Sequence, residues 1–167
     1  MGALQELGEA VHKRRTQMGL TQASLAALAG LSRQTISQLE NGSIGDLSLQ
    51  RAQGLADVLG LALQVGWVVA PAGPPKSRLT PLDRASRTAA VSYRGQITPA
   101  RLRRVLTRGQ LQPADAPYVH ALLDDAPMSL LAALAEQLGG AGDGSAAIWQ
   151  SYRSLARQVK SKRAVWR

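Results

Sequence analysis

The chain has 167 residues, a formal net charge of +9 and no cysteine. Such a length holds one ordinary core or two small ones, and the missing thiols exclude disulfides, thiolate metal sites and cysteine nucleophiles. No apolar run reaches the roughly 18 residues of a membrane span, and Met1 to Arg15 lack a leader's apolar stretch, so a cytoplasmic chain with no membrane partner is expected.

The charge is unevenly placed, and the pattern says more than the total. Residues 1–72 carry five basic and five acidic side chains, residues 76–108 nine basic and one acidic, residues 109–145 five acidic and none basic, and residues 146–167 six basic and none acidic. A polyanionic or acidic partner is implied for the later segments.

Leu4, Leu7, Val11 and Met18 recur at helical spacing, predicting an amphipathic helix over residues 3–18 that Gly19 stops. Thr21 offers an N-cap to a short helix with Leu25, Ala26 and Leu28 inward, ended by Gly30. Ser32 caps the next helix, which buries Ile36 and Leu39 and stops at Gly42. Leu47 and Ser48 open a fourth, with Ala52, Leu55, Ala56 and Leu59 inward. Two helices joined by Gly30-Leu31-Ser32 form a helix-turn-helix. The second has a narrow apolar edge and otherwise presents Arg33, Gln34, Thr35, Ser37 and Gln38. Arg can bond a guanine edge bidentately and Gln an adenine edge, which makes this face a candidate reader of bases in the major groove; the alternative is a solvated helix face.

The stretch "RRTQMGLTQASLAALAGLSRQTISQLENGS" resembles the DNA-binding domain of lambdoid phage repressors and Cro, the Xre/Cro family, over about residues 3–60. The resemblance rests on the "GLTQ" opening, the small residues at the turn and "ISQLENG" at the exit. It implies that Arg33, Gln34 and Gln38 read bases, with Thr35 and Ser37 as lesser contacts. Gln22 and Asn41 would hold phosphates on either side, and Arg15 and Glu40 would form a partly buried ion pair, the alternative being a groove-facing or solvated Arg15. Two departures stand out: "GSIGDLS" follows Asn41 where many relatives have Lys or Arg, and Ser24 replaces a frequent Glu. A modest affinity of the domain alone is expected.

After Gly60, Leu61, Leu63, Val65, Trp67 and Val69 alternate as one face of a period-two strand. A lone strand needs a partner, which a second subunit would supply; pairing within the chain or a continuing helix are the alternatives. A strand exchanged across a dimer axis is similar to HipB-type antitoxins. Residues 71–81 form a Pro-rich linker. Beyond it, Thr80-Pro81 and Thr98-Pro99 read as helix starts. Apolar spacing predicts further helices around Leu102, Val105 and Leu106; Tyr118, Leu122 and Leu123; Leu130, Leu131, Leu134 and Leu138; and Ile148, Tyr152, Leu155 and Val159. Arg153, Arg157 and Lys160 flank the last of these. GGAGDGS reads as a loop, and Lys160 and Lys162 are assigned to the final helix.

The expected fold is mainly α: a lambda-repressor-like helix-turn-helix domain with a dimerising strand over residues 1–70, and a small all-helical domain over 82–167. His12 and His120 lack partners at ligand spacing and Asp124-Asp125 reads as a helix end, so no enzyme, metal or cofactor is expected. The anticipated partners are double-stranded DNA with a palindromic operator, a second copy of the chain and a cognate toxin. The chain would thus be a self-repressing antitoxin; the alternative is a regulator whose helical half senses a small-molecule effector.

Overall fold

The computed structural model describes residues 2–64, 79–91, 95–140 and 144–166. Four helices come first: α1 (Ala3–Gln17), α2 (Gln22–Ala29), α3 (Arg33–Glu40) and α4 (Leu49–Leu59). Their ends follow from local chemistry. The Thr21 hydroxyl accepts the Ser24 N–H and the Ser32 hydroxyl the Thr35 N–H, each at 3.0 Å, satisfying donors that a helix start leaves orphaned. Val11, Leu25, Ile36, Leu39 and Leu55 are fully buried between these helices. Gly8 lets α1 cross the end of α3 at backbone contact: a Cβ there would run into the Leu39 carbonyl.

The expected dimerising strand is not found among the described residues. Among the described residues every regular element is a helix, and Leu61–Gln64 follow an irregular path; Val65, Trp67 and Val69 lie outside the described residues. The reason is visible at the exit of α4. Gly60 takes the left-handed conformation at φ +66°, and the Leu61 N–H turns back 2.9 Å to the Ala56 carbonyl, a Schellman closure that brings an apolar residue onto the helix it follows. Leu61 therefore packs on the core. It borders a groove that Glu136 and Ser145 of the second half also line.

That second half comprises α5 (Pro81–Ala90), α6 (Pro99–Arg108), α7 (Ala116–Asp125), α8 (Met128–Gly139), α9 (Gly144–Gln158) and a 3-10 turn over Ala164–Trp166. Thr80 and Asp83 form a reciprocal capping box at the start of α5, with Pro81 at a position where a missing N–H costs nothing. Helices α8 and α9 pair, α5 lies against α7 and α8, and α6 bridges α5 and α9. Trp149, Tyr152 and Trp166 pack ring to ring at centroid distances of 5.4–6.3 Å, and the Trp166 indole N–H donates to the Leu123 carbonyl at 3.2 Å. Because α9 ends at Gln158, Lys160 (φ 55°) and Lys162 lie beyond it and not within it.

Both halves share one apolar cluster. Helix α8 packs on α4, and α9 touches α1. A close approach is at Gly60, where a Cβ would lie 2.5 Å from the Met128 carbonyl oxygen. Arg14, buried on α1, donates 2.7 Å to Glu136 on α8. This docking uses α1 and α4, while α3 packs against α1 and α2. Its outward face stays open.

Candidate nucleic-acid interface

Only Ile36 and Leu39 of α3 are fully buried, which fixes the helix by one edge. Arg33, Gln34 and Gln38 are exposed on the remainder, whereas Thr35 and Ser37 are half-buried. Gln34 and Gln38 are four residues apart and so stand on one face, one turn above the other. Thr35 is partly occupied by the cap, its hydroxyl 2.8 Å from that of Ser32. Asn41 is exposed at the end of α3, its amide 3.5 Å from the Ser37 hydroxyl. The arrangement presents a long cation and two primary amides on a rigid helix at the protein surface. These groups match the donor and acceptor pairs of base edges in a major groove.

Behind α3 lies the group that sets its position. Glu40, with a side chain 2% exposed, receives the Arg15 guanidinium in a fork: Nε to Oε1 at 2.6 Å and Nη2 to Oε2 at 2.8 Å. Arg15 Nη1 also donates to the Leu20 carbonyl at 2.9 Å. The Gln22 amide donates to Glu40 Oε2 at 3.0 Å, and His12 Nδ1 lies 3.2 Å from the same oxygen. One carboxylate thus ties α1, the α1–α2 turn, the start of α2 and the end of α3 together. Burial alone would push the Glu40 carboxyl upward; the bonds from Arg15, Gln22 and His12 outweigh it and bring it down to about 2. Charge-assisted bonds of this kind are the strong ones.

Sequence reasoning places Gln22 on a phosphate; in the structure its amide donor is engaged inside the domain. It also misses His12 as a member of the Glu40 cluster, and Arg14 as a buried cation. An arginine at a position continuing the apolar repeat of α1 is the available signal for Arg14. His120 Nε2 lies 3.3 Å from Asp124 one turn away, and among the described residues no three acidic or histidine side chains converge as a metal site would require. No helix among them is long and apolar enough to cross a membrane.

Residues 11–65 match the family model described as Helix-turn-helix. Neither the curated proteins nor the solved structures contain a match to the chain. The matched segment runs from within α1 to beyond α4 and includes α3 with its exposed polar face, together with the Glu40 cluster that positions it. Residues 11–65 belong to the helix-turn-helix family, Xre/Cro-like, and give the chain the DNA-binding domain of a transcription regulator.

Proposed function

We propose that the chain is a sequence-specific transcriptional repressor that binds a palindromic operator as a homodimer and acts on its own promoter region, in the cytoplasm and on the nucleoid when operator-bound. The observation that carries this reading is the exposure of Arg33, Gln34 and Gln38 on a helix whose buried edge is locked. Two-fold operators follow from paired reading helices one helical turn apart. Replacing Arg33 or Gln34 with Ala is expected to cost about 1 to 3 kcal/mol per half-site and to relax base choice at one or two positions. Binding titrations on a selected operator and on random duplex decide it: equal losses on both would reduce Arg33 to a phosphate contact.

The second half supplies a further partner role. Arg101 is held by buried Asp115 at 2.6 Å, but Arg103, Arg104 and Arg108 of α6 are exposed, a basic face suited to an acidic protein. A cognate toxin would make the chain an antitoxin. That reading loses the support of the exchanged strand and rests on α6. A second reading, an effector-sensing regulator, is favoured by an open groove of about 940 Å³ lined by His12, Arg14, Leu61, Glu136 and Ser145. There Arg14 Nη1 and Ser145 Oγ are buried without a hydrogen-bond partner among the described residues. Stable co-purification with a neighbouring gene's product, abolished when the α6 arginines are replaced, supports the toxin partner; an operator affinity that shifts with a small anion supports the effector.

A further inference from the structure

The helix-turn-helix domain has base-reading groups but little to hold a phosphate backbone. Residues 1–72 are electrically neutral, and the loop from Ser43 to Leu47 contains no basic residue. Phosphate contacts nevertheless supply most of the affinity of a DNA-binding protein. Of the domain's five basic residues, Arg14 and Arg15 are held in ion pairs, and the structure places two further cations beside the domain.

Helix α9 begins next to α1: Ser145 and Arg14 line the same groove. Eight residues further on, the Arg153 guanidinium lies 3.0 Å from where a Gly19 Cβ would be. The helix therefore runs in the same direction as α1 and reaches the α1–α2 turn at Arg153. Arg157 continues one turn beyond. The two flanks of α9 differ in charge. Ser151 and Gln158, which bond the Leu106 and Gly109 carbonyls, face α6, whereas Arg153 and Arg157 lie on the opposite flank, about 200° and 240° around from Ser151 at 100° per residue.

Arg153 is half-buried and makes no hydrogen bond or ion pair among the described residues. Burial disfavours its charge, and the nearby Arg157 cation adds to that. Two adjacent guanidinium groups, one of them partly desolvated, form an anion site that the chain itself does not fill. In helix-turn-helix docking the helix before the reading helix crosses the phosphate backbone, so a duplex seated on α3 passes the turn leading into α2, where Arg153 stands.

We infer that Arg153 and Arg157 of α9 extend the DNA interface, binding backbone phosphates that flank the bases read by α3. This rests on the repressor reading and assigns the second half a direct share in DNA affinity. The arginines of α6, on the far flank of α9, take no part.

The test is the salt dependence of binding by the full chain to an operator selected from random duplexes by the unaltered protein. Removing one phosphate contact lowers the log–log slope by about 0.9. Arg153→Gln and Arg157→Gln are each expected to lower it by about that amount per half-site, and the pair by about 1.8, with operator and random DNA weakened in proportion. Arg153→Lys should retain the slope, and Arg103→Gln with Arg104→Gln, which removes the same charge from α6, should leave it unchanged. Thermal unfolding by circular dichroism verifies that each variant is folded. A slope untouched by the α9 variants overturns this inference alone, as does an equal loss from the α6 pair, which would reduce the effect to net charge. If the unaltered chain binds no duplex even at low salt, the repressor reading and this inference fall together.

Discussion

Replacing Glu40 with Gln is expected to lower the free energy of unfolding by about 3 kcal/mol or more, because it leaves the Arg15 cation buried without its counter-charge. The fork from Arg15 and the amide bond from Gln22 both end on Glu40, so the two single substitutions Glu40→Gln and Arg15→Met should not add. A coupling of about 2 kcal/mol in the double-mutant cycle is anticipated for groups in one network. The acid limb of the stability profile supplies a second readout. A Glu40 carboxyl at its ordinary value near 4.5 in the unfolded chain, and at about 2 in the folded one, means that the unfolded state takes up the proton first. The contribution of Glu40 is thus complete above pH 4.5 and declines as pH falls toward 2. Urea unfolding of both proteins between about pH 7 and pH 2 should show the gap between them closing on the acid side. A gap that stays constant, or strict additivity in the cycle, would show that the carboxylate is not the tie between α1, α2 and α3. Operator affinity should fall with stability in Glu40→Gln, since the same group sets the seating of the reading helix.

How much of this is legible in the chain depends on whether a feature is local. The caps at Thr21, Ser32, Thr80 and Thr98 are written within four residues, and the structure has each hydroxyl accepting the third N–H onward. The polar face of α3 follows from Ile36 and Leu39 alone. By contrast His12, Gln22 and Arg15 meet Glu40 only after three helices have folded together, and no spacing announces that Gln22 turns inward. The expectation of a strand fails because Leu61 and Leu63 satisfy an alternating pattern as well as they satisfy a helix exit. Gly60 followed by an apolar residue is the competing signal. Period two carries little weight over so few residues when a Schellman closure uses the first of them. The charge of residues 146–167 is evident as a number, but its division between two flanks of α9 is not, because only the packing against α6 and α1 tells them apart.

Gly60→Ala is expected to destabilise the chain by about 3 kcal/mol, and Gly30→Ala by only about 1, although the two glycines have nearly the same backbone conformation at φ +66° and +65°. Each substitution forces a side chain into the left-handed region. They differ in what the new methyl meets: nothing lies within 4 Å of it at Gly30, whereas at Gly60 it would stand 2.5 Å from the Met128 carbonyl. The methyl at Gly60 therefore pushes α8 off α4, opening the shared core at Leu59, Leu61 and Met128. The difference between the two losses measures the seam between the helix-turn-helix half and the second half. If the seam holds the two together, tryptophan fluorescence, to which the buried Trp149 and Trp166 contribute, and helical circular dichroism should disappear in one coincident transition in the unaltered chain. In Gly60→Ala the two signals should separate or shift together to lower urea. Equal losses at the two glycines would mean that α8 yields without cost and that the halves are joined loosely. In that case Arg153 would not be held against the α1–α2 turn firmly enough to present its charge to DNA.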